Sequence, residues 1–200
     1  RSIKSVEERW RSVMEKQIEK TIIRQAELKD LKYIVDLSKK ESLSLGFIPK
    51  MAYESAINGF RKGVPSPKRW SMVCNDKLFV CTCNNDLVGF CLASFGRVKA
   101  IYKTGKIAQI CLQEDARKLE RGKLLLQAVI DWGKKIFTFS FNAGCADDLE
   151  SNFFWQAMGW IKIGHRFGIS HKNTWVQTSK RKINLYSYDP NDLLMGLSNG

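Results

Sequence analysis

The chain is 200 residues long, with a formal net charge of +13, 44% apolar residues, eleven Phe and six Trp. That is enough for one domain with a substantial core, and it excludes a disordered or collagen-like chain. No apolar run approaches the roughly 18–20 residues that cross a bilayer, and the opening RSIKSVEERWRSVMEKQIEK has no signal-peptide core, so the expectation is a soluble cytoplasmic protein with no membrane partner.

In chain order, residues 5–19 read as a polar helix with a thin apolar line at Val6, Trp10 and Val13/Met14. TIIRQA (21–26) is a short β-type segment. Residues 28–40 carry Leu28, Leu31, Ile34 and Val35 at helical spacing, and 49–60 has a proline near its start and a glycine near its end, the signature of a second helix. The segment 63–70 is a loop stiffened by two prolines. The apolar period then changes to two. KLFVCTC and LVGFCLASF are strands joined by NND, which predicts a hairpin. A strand over 106–113 follows. Next comes a helix with Leu124, Leu125, Ala128, Val129 and Trp132 on one face, ending near Lys134/Lys135, where cations suit the helix dipole. Residues 136–141 are a strand. Residues 147–159 are a helix with Asp147 or Asp148 as N-cap and Gly159 as C-cap. WIKIGHRFGI and INLYSY are late strands, and 189–200 is a loose tail. The result is a mixed α/β (α+β) domain with an extra N-terminal helix.

The six cysteines (74, 81, 83, 91, 111, 145) contain no C-x-x-C pair, and neither His165 nor His171 has a cysteine nearby. No metal site is expected, and the thiols read as reduced and structural. Residues 1–63 hold 14 Lys/Arg against 9 Asp/Glu. Residues 161–200 hold 6 against 2, with all six cations between Lys162 and Lys182. Such a stripe fits a nucleic acid or another polyanion, and it equally fits a solvated surface.

The stretch Leu112–Val129, LQEDARKLERGKLLLQAV, places Arg117, Lys118, Arg121 and Lys123 around Gly122 where a helix begins. The first N–H groups of a helix have no partner within it, and the helix dipole is positive there. A glycine lets the backbone approach a ligand closely. The physical reading is an anion site, best suited to a diphosphate; the competing reading is a charged first turn with an ordinary glycine.

Three local sequences in this order resemble the GNAT superfamily of acyl-CoA-dependent N-acetyltransferases. IRQAELKDL (23–31) is similar to the family's opening strand and helix-starting Asp. ICLQEDARKLERGKLLL (110–126) is similar to its strand, Arg/Gln-x-x-Gly-x-Gly/Ala loop and Leu-rich helix. FFWQAMGW (153–160) is similar to its Phe-Tyr-x-x-x-Gly-Phe. The resemblance covers about residues 21–188, leaving 1–20 as an added helix and 189–200 as a tail. LGFIP (45–49) and CADDLESNFFWQAMGW also resemble GNAT-like proteins of phages and mobile elements.

The resemblance implies acetyl-CoA as cofactor. Amides from about Lys118 through Leu119, Glu120, Arg121 and Gly122 to Lys123 would hold its diphosphate, with charge from Arg117. The pantetheine arm would lie between strands 106–113 and 136–141, which splay apart. Main-chain groups of Ile110 and Leu112 would pair with that arm, and an amide within Ile110–Cys111–Leu112 would polarise the acetyl carbonyl, an oxyanion-hole effect of about 3–4 kcal/mol per donor. An amine would attack the thioester directly, which needs a base and an acid. Two departures stand out: Glu120 replaces the first glycine, and Trp155 replaces the tyrosine that often serves as acid, while indole has no usable ionisation. Glu114, with Asp115 beside it, is the candidate base, and Gln109 could orient a water. Cys145 and Ser151 are candidates near the leaving thiolate, and Asn152 and Trp155 are candidate cofactor contacts. Each also has a structural reading: loop solvation, a small buried residue, a first-turn residue, core packing.

In this fold the acceptor groove corresponds to roughly Leu43–Phe60 and His165–Arg181. The basic, aromatic-interleaved GHRFGISHKNTW points to an amine on an anionic partner, either nucleic acid (DNA or tRNA) or an acidic protein. The alternatives are a catalytically degenerate GNAT-like module that binds nucleic acid or a protein, and a phage-type acyltransferase of DNA bases. The acceptor is open, and a homodimer through helix 5–19 is one reading of its apolar line.

Overall fold

A computed structural model of the chain describes residues 21–59, 76–98, 102–117, 120–136, 138–168 and 181–190. The helix expected over 5–19, the loop 63–70 and most of the tail lie outside the described residues. The described residues fall into two compact units, one holding those up to 93 together with 109–131, the other 94–108 together with those from 132 on.

The first strand, β1 (Thr21–Gln25), matches the expected β-type segment. A 3-10 turn, Leu28–Asp30, then leads into α1 (Leu31–Lys40), so the helix expected from 28 starts in a tighter turn. Asp30 causes this. Its carboxylate accepts the Glu27 N–H at 2.8 Å and both prongs of the Arg24 guanidinium at 2.6 and 3.0 Å, and Asp30 is only 2% exposed. Burial alone would raise its pKa. The hydrogen bonds from Arg24 and the Glu27 backbone, with the charges of Arg24 and Lys29, outweigh burial and hold the carboxyl below its ordinary range. Leu28, in the turn, is consequently exposed, and α1 buries Leu31, Ile34, Leu37 and Ser38 instead.

A one-turn helix, α2 (Ser42–Leu45), is followed by α3 (Lys50–Asn58). Pro49 caps the start of α3, and Gly59, left-handed at φ +74°, ends it, as the proline–glycine spacing predicts. Strands β2 (Lys77–Cys83) and β3 (Asp86–Val98) form the expected hairpin, turned by Asn84 and Asn85 at φ 53° and 72°. Leu78 through Thr82 are buried at five successive positions, the mark of a strand covered on both faces.

Strand β4 (Tyr102–Leu112) runs parallel to β5 (Thr138–Ala146), paired from Lys103–Thr138 to Ile107–Ala143. The expected splay over 106–113 and 136–141 is therefore corrected at its near end, because Lys106 and Ile107 are still in the ladder. Between these strands in sequence lies α4 (Arg121–Lys135). Its buried residues are Arg121, Leu125, Leu126, Val129, Ile130 and Gly133, a stripe turned about one residue from the expected face. A last helix, α5 (Ser151–Ala157), precedes β6 (Ile161–Phe167) and β7 (Lys182–Tyr188), which pairs antiparallel with both β5 and β6. The hydrogen-bonded order is β1-β2-β3-β4-β5-β7-β6: a mixed seven-stranded sheet in an α/β fold.

Helix α5 starts four residues later than expected. Asp147 and Asp148 do not cap it, because they are engaged by β7 and its approach: Asp147 accepts from Asn184 at 2.7 Å and lies 3.4 Å from Lys182, and Asp148 pairs with Arg181 at 2.9 Å. The C-cap is Met158, not Gly159, which follows it at φ +76°.

In the second unit Phe141 is fully buried between two glycines. A Cβ at Gly105 would lie 2.6 Å from Phe141 Cδ1, and one at Gly133 would lie 2.6 Å from Phe141 Cζ and 3.0 Å from Phe95 Cε1. Gly133→Ala is thus an overpacking mutation costing about 1–3 kcal/mol, from which better helix propensity recovers up to about 1. Urea unfolding should show a net loss near 1–2 kcal/mol; a more stable variant would mean that the ring yields freely.

Candidate functional site

The candidate residues divide between the two units. In the first, β4 ends at Leu112, a 3-10 turn spans Glu114–Ala116, and α4 begins at Arg121. Gly89 of β3 lets the backbone pack against this strand end: a Cβ there would sit 2.5 Å from the Cys111 carbonyl oxygen.

Glu120, the residue in place of the expected glycine, has φ +55°. Its carbonyl accepts the Leu124 N–H at 3.0 Å, so it stands at the N-cap position of α4. The backbone therefore keeps a left-handed conformation natural to glycine, at a cost of roughly 1–2 kcal/mol for a residue with a Cβ. The Glu120 side chain is exposed and makes no ion pair among the described residues.

The four cations have different fates. Arg121 is 4% exposed. Its guanidinium donates to Thr21 Oγ1 at 3.2 Å and Cys83 Sγ at 3.1 Å, so the side chain ties α4 to β1 and β2. Arg117 donates through Nε to the Leu112 carbonyl at 3.1 Å and pairs through its NH2 group with Glu41 at 3.2 Å. Lys123 is exposed and Gly122 half-buried in the first turn of α4. Lys118 and Leu119 lie outside the described residues.

Glu114 and Asp115 are both exposed. Gln109, considered for orienting a water, is 3% exposed. It accepts from Tyr53 Oη and donates to the carbonyls of Leu45 and Gly46 at 3.3 and 3.0 Å. Ser38 bonds the same tyrosine oxygen at 2.7 Å. Gln109 thus has both donor hydrogens engaged in holding the α2–α3 connection onto β4. Tyr53, Ser38 and Glu41 were not legible as site neighbours in the sequence, because their partners lie in other elements, 15 residues away for Ser38 and 56 for Tyr53 with Gln109. Cys111 is buried, its thiol pushed up to about 12 by burial first and then by the Glu41 charge, against the opposing pull of Arg117.

In the second unit, Cys145 and Ser151 are brought together, Sγ to Oγ at 3.1 Å. Burial raises the Cys145 pKa, and hydrogen bonds with Ser151 and Trp155 offset part of that rise. Asn152 is saturated. Its Nδ2 donates to the Ala146 and Leu149 carbonyls at 2.8 and 2.7 Å, and its Oδ1 accepts from Asn184 at 3.0 Å and from Tyr186 Oη at 2.9 Å. Trp155 is 4% exposed, with ring centroids 4.8 Å from Trp160 and 5.3 Å from Phe154. Both residues are fully accounted for by holding the 146–152 turn and the aromatic core.

Among the described residues, no group of three or more His, Cys, Asp and Glu stands close enough to hold a metal ion, the cysteines are free thiols, and no helix is long and apolar enough to cross a membrane.

A strand, a loop with a left-handed residue, and the N-terminus of a fifteen-residue helix fit an acyl-CoA diphosphate. The family model described as "Acetyltransferase (GNAT) family" matches residues 50–160. The chain belongs to this family, and its cofactor is acetyl-CoA. Curated protein sequences give no significant match. Solved structures of like fold include Arabidopsis thaliana NAA60 in complex with acetyl-CoA, at 12% identity and TM-score 0.66, covering 86% of this chain and 99% of that one. The acetyltransferase of Salmonella typhimurium that modifies the N-terminal serine of ribosomal protein L7/L12 matches at 16% identity and TM-score 0.61, covering 85% and 95%. The Escherichia coli ribosomal-protein-S18-alanine N-acetyltransferase matches at 13% and 0.57, covering 84% and 93%. At these identities the likeness is one of fold.

Glu120→Gly follows as a test of the loop. It removes both the strain and a carboxylate from the loop expected to hold an anion. Thermal unfolding should gain about 1 kcal/mol, and the Kd for CoA should fall about three- to tenfold by calorimetry; an unchanged Kd would place Glu120 clear of the cofactor.

Proposed function

We propose that the chain transfers an acetyl group from acetyl-CoA to an amine carried by an anionic macromolecule. The observation that carries the donor half is the glycine-type backbone at Glu120 immediately before the N-terminus of α4. Amides from Lys118 to Lys123 bind the diphosphate, with charge from Arg117 and Lys123. Arg121 contributes its backbone, since its guanidinium is committed to Thr21 and Cys83. Acetyl-CoA supplies the activated thioester. Main-chain amides within Ile110–Leu112 orient and polarise the acetyl carbonyl; the Leu112 carbonyl oxygen is shared with Arg117. Glu114, exposed just beyond the strand, takes the amine proton. Cys145, whose thiol burial keeps protonated, and its partner Ser151 lie in the second unit.

On the acceptor side, residues 169–180 of the basic stripe lie outside the described residues, and three of its described cations are already paired. Lys162, Arg181 and Lys182 are within 2.9–3.9 Å of Asp147 or Asp148. His165 and Arg166 on β6 are exposed and support an anionic partner. Structural relatives with a named protein or peptide act on ribosomal proteins L7/L12 and S18 or are bound to Gag peptide, which favours an amine on a protein over one on a nucleic acid. The test is thiol release from acetyl-CoA over a panel of acidic peptides with free N-termini, tRNA and DNA. Turnover on one class that weakens with salt supports the reading. Binding of acetyl-CoA with no turnover on any of them favours the second reading, a GNAT-like binding module without catalysis, to which Trp155 in the usual tyrosine position lends weight.

A further inference from the structure

The Arg117–Glu41 pair has a geometry that a chance surface contact would not need. A guanidinium carries two forks, one formed by Nε and NH2 and the other by NH1 and NH2, each able to grip a pair of oxygens. In Arg117, Nε donates to the Leu112 carbonyl at 3.1 Å, and NH2 stands in an ion pair with Glu41 Oε2 at 3.2 Å. NH1 has no partner among the described residues. Both anchors are themselves fixed. Leu112 is the last residue of β4. Glu41 closes α1, its N–H bonded to the Leu37 carbonyl, while its own carbonyl accepts from Ser44 and Leu45. Its side chain is only 20% exposed, whereas that of Arg117 is 46% exposed. A half-exposed cation is thus held by a mostly sheltered carboxylate, with NH1 unpaired among the described residues. This is the arrangement by which a supporting shell orients a ligand-binding group.

We propose that Glu41 is a positioning residue of the cofactor site, its ion pair with NH2 holding the Arg117 guanidinium so that NH1 is presented to an oxyanion of the donor's diphosphate. This rests on the reading of the 117–123 loop as the diphosphate site. A carboxylate this close also opposes an anion electrostatically, so its net effect is decided by whether orientation or charge dominates. Orientation should dominate, because the ion pair itself is partly exposed and individually weak, whereas an unanchored arginine must be ordered afresh each time the anion binds.

The experiment is calorimetric titration of the full chain with CoA, and separately with pantetheine, which lacks the diphosphate. Arg117→Ala should weaken CoA binding about tenfold and leave pantetheine unchanged. Glu41→Ala should weaken CoA about fivefold, again with no effect on pantetheine. Glu41→Gln, which keeps an oxygen to accept from NH2, should restore CoA affinity to within about twofold of the parent. In the Arg117→Ala background, Glu41→Ala should have no further effect. If Arg117→Ala weakens CoA but Glu41→Ala leaves it unchanged or tightens it, Glu41 is only a competing counter-ion and the proposal is wrong. If Arg117→Ala has no effect on CoA, the diphosphate reading of the loop fails first. A loss of pantetheine binding in Glu41→Ala would show general damage to the strand end and would also overturn the positioning role.

Discussion

Gly122→Asp should lower the affinity for acetyl-CoA about a hundredfold without destabilising the protein. Gly122 is half-buried in the first turn of α4. A carboxylate at a helix N-terminus is favoured by the dipole and the unbonded amides, so the fold gains rather than loses. The same preference makes the new side chain a resident anion on the groups that would bind the diphosphate. Two negative charges roughly 5 Å from a third, at an effective dielectric of about 40, repel by roughly 3 kcal/mol, which is about two orders of magnitude in Kd. Calorimetry of wild type and mutant, beside their thermal unfolding curves, separates binding from folding. Micromolar binding in the parent that vanishes in a stable mutant locates the cofactor at this turn. Equal affinity in the two would move the diphosphate elsewhere.

The second large effect lies in the turn that leads into α1. Asp30→Asn should cost about 2 kcal/mol at neutral pH, somewhat below the 3–5 typical of a fully buried pair, because the Arg24 side chain keeps 30% of its exposure. The mutation removes the charge that two guanidinium prongs and the Glu27 N–H converge upon. Its pH dependence has a definite sign. The folded-state pKa of Asp30 lies below its unfolded value, so its stabilisation is complete above the unfolded value of about 3.9. It declines as pH falls through the folded pKa. Urea midpoints of parent and variant should therefore converge at strongly acidic pH and stay apart at pH 5 and above. A gap that persists unchanged at pH 2 would assign the effect to packing instead of charge.

Much of the architecture was readable from local pattern. Pro49 and Gly59 bracket α3, Asn84 and Asn85 turn the hairpin, and the order of elements with the 110–126 motif carried the family. These signals lie within a few residues of what they determine. The misjudged details depend on partners far along the chain. Asp147 and Asp148 look like caps to anyone reading forward into α5, but Arg181, Lys182 and Asn184 of the β7 region claim them. Arg121 looks like a phosphate ligand beside Gly122, but β1 offers it a hydroxyl a hundred positions earlier, and β2 a sulfur. Gln109 looks like a polar residue in a strand with work to do in solvent, but Tyr53 and the turn at Leu45–Gly46 enclose it. The stripe on α4 shifted by one residue for a similar reason: Gly133, featureless in a hydrophobic pattern, is where the Phe141 ring has to fit.

The left-handed backbone at residue 120 also bears on how readily this chain could change. A glutamate codon becomes a glycine codon by a single base substitution, and at this position that step relieves the main chain and clears a negative charge from the loop at once. Most improvements to a binding loop trade stability for affinity; here the two gradients run the same way. A random-mutagenesis screen for tighter CoA binding would therefore be expected to recover position 120 early, ahead of any change that has to rebuild contacts.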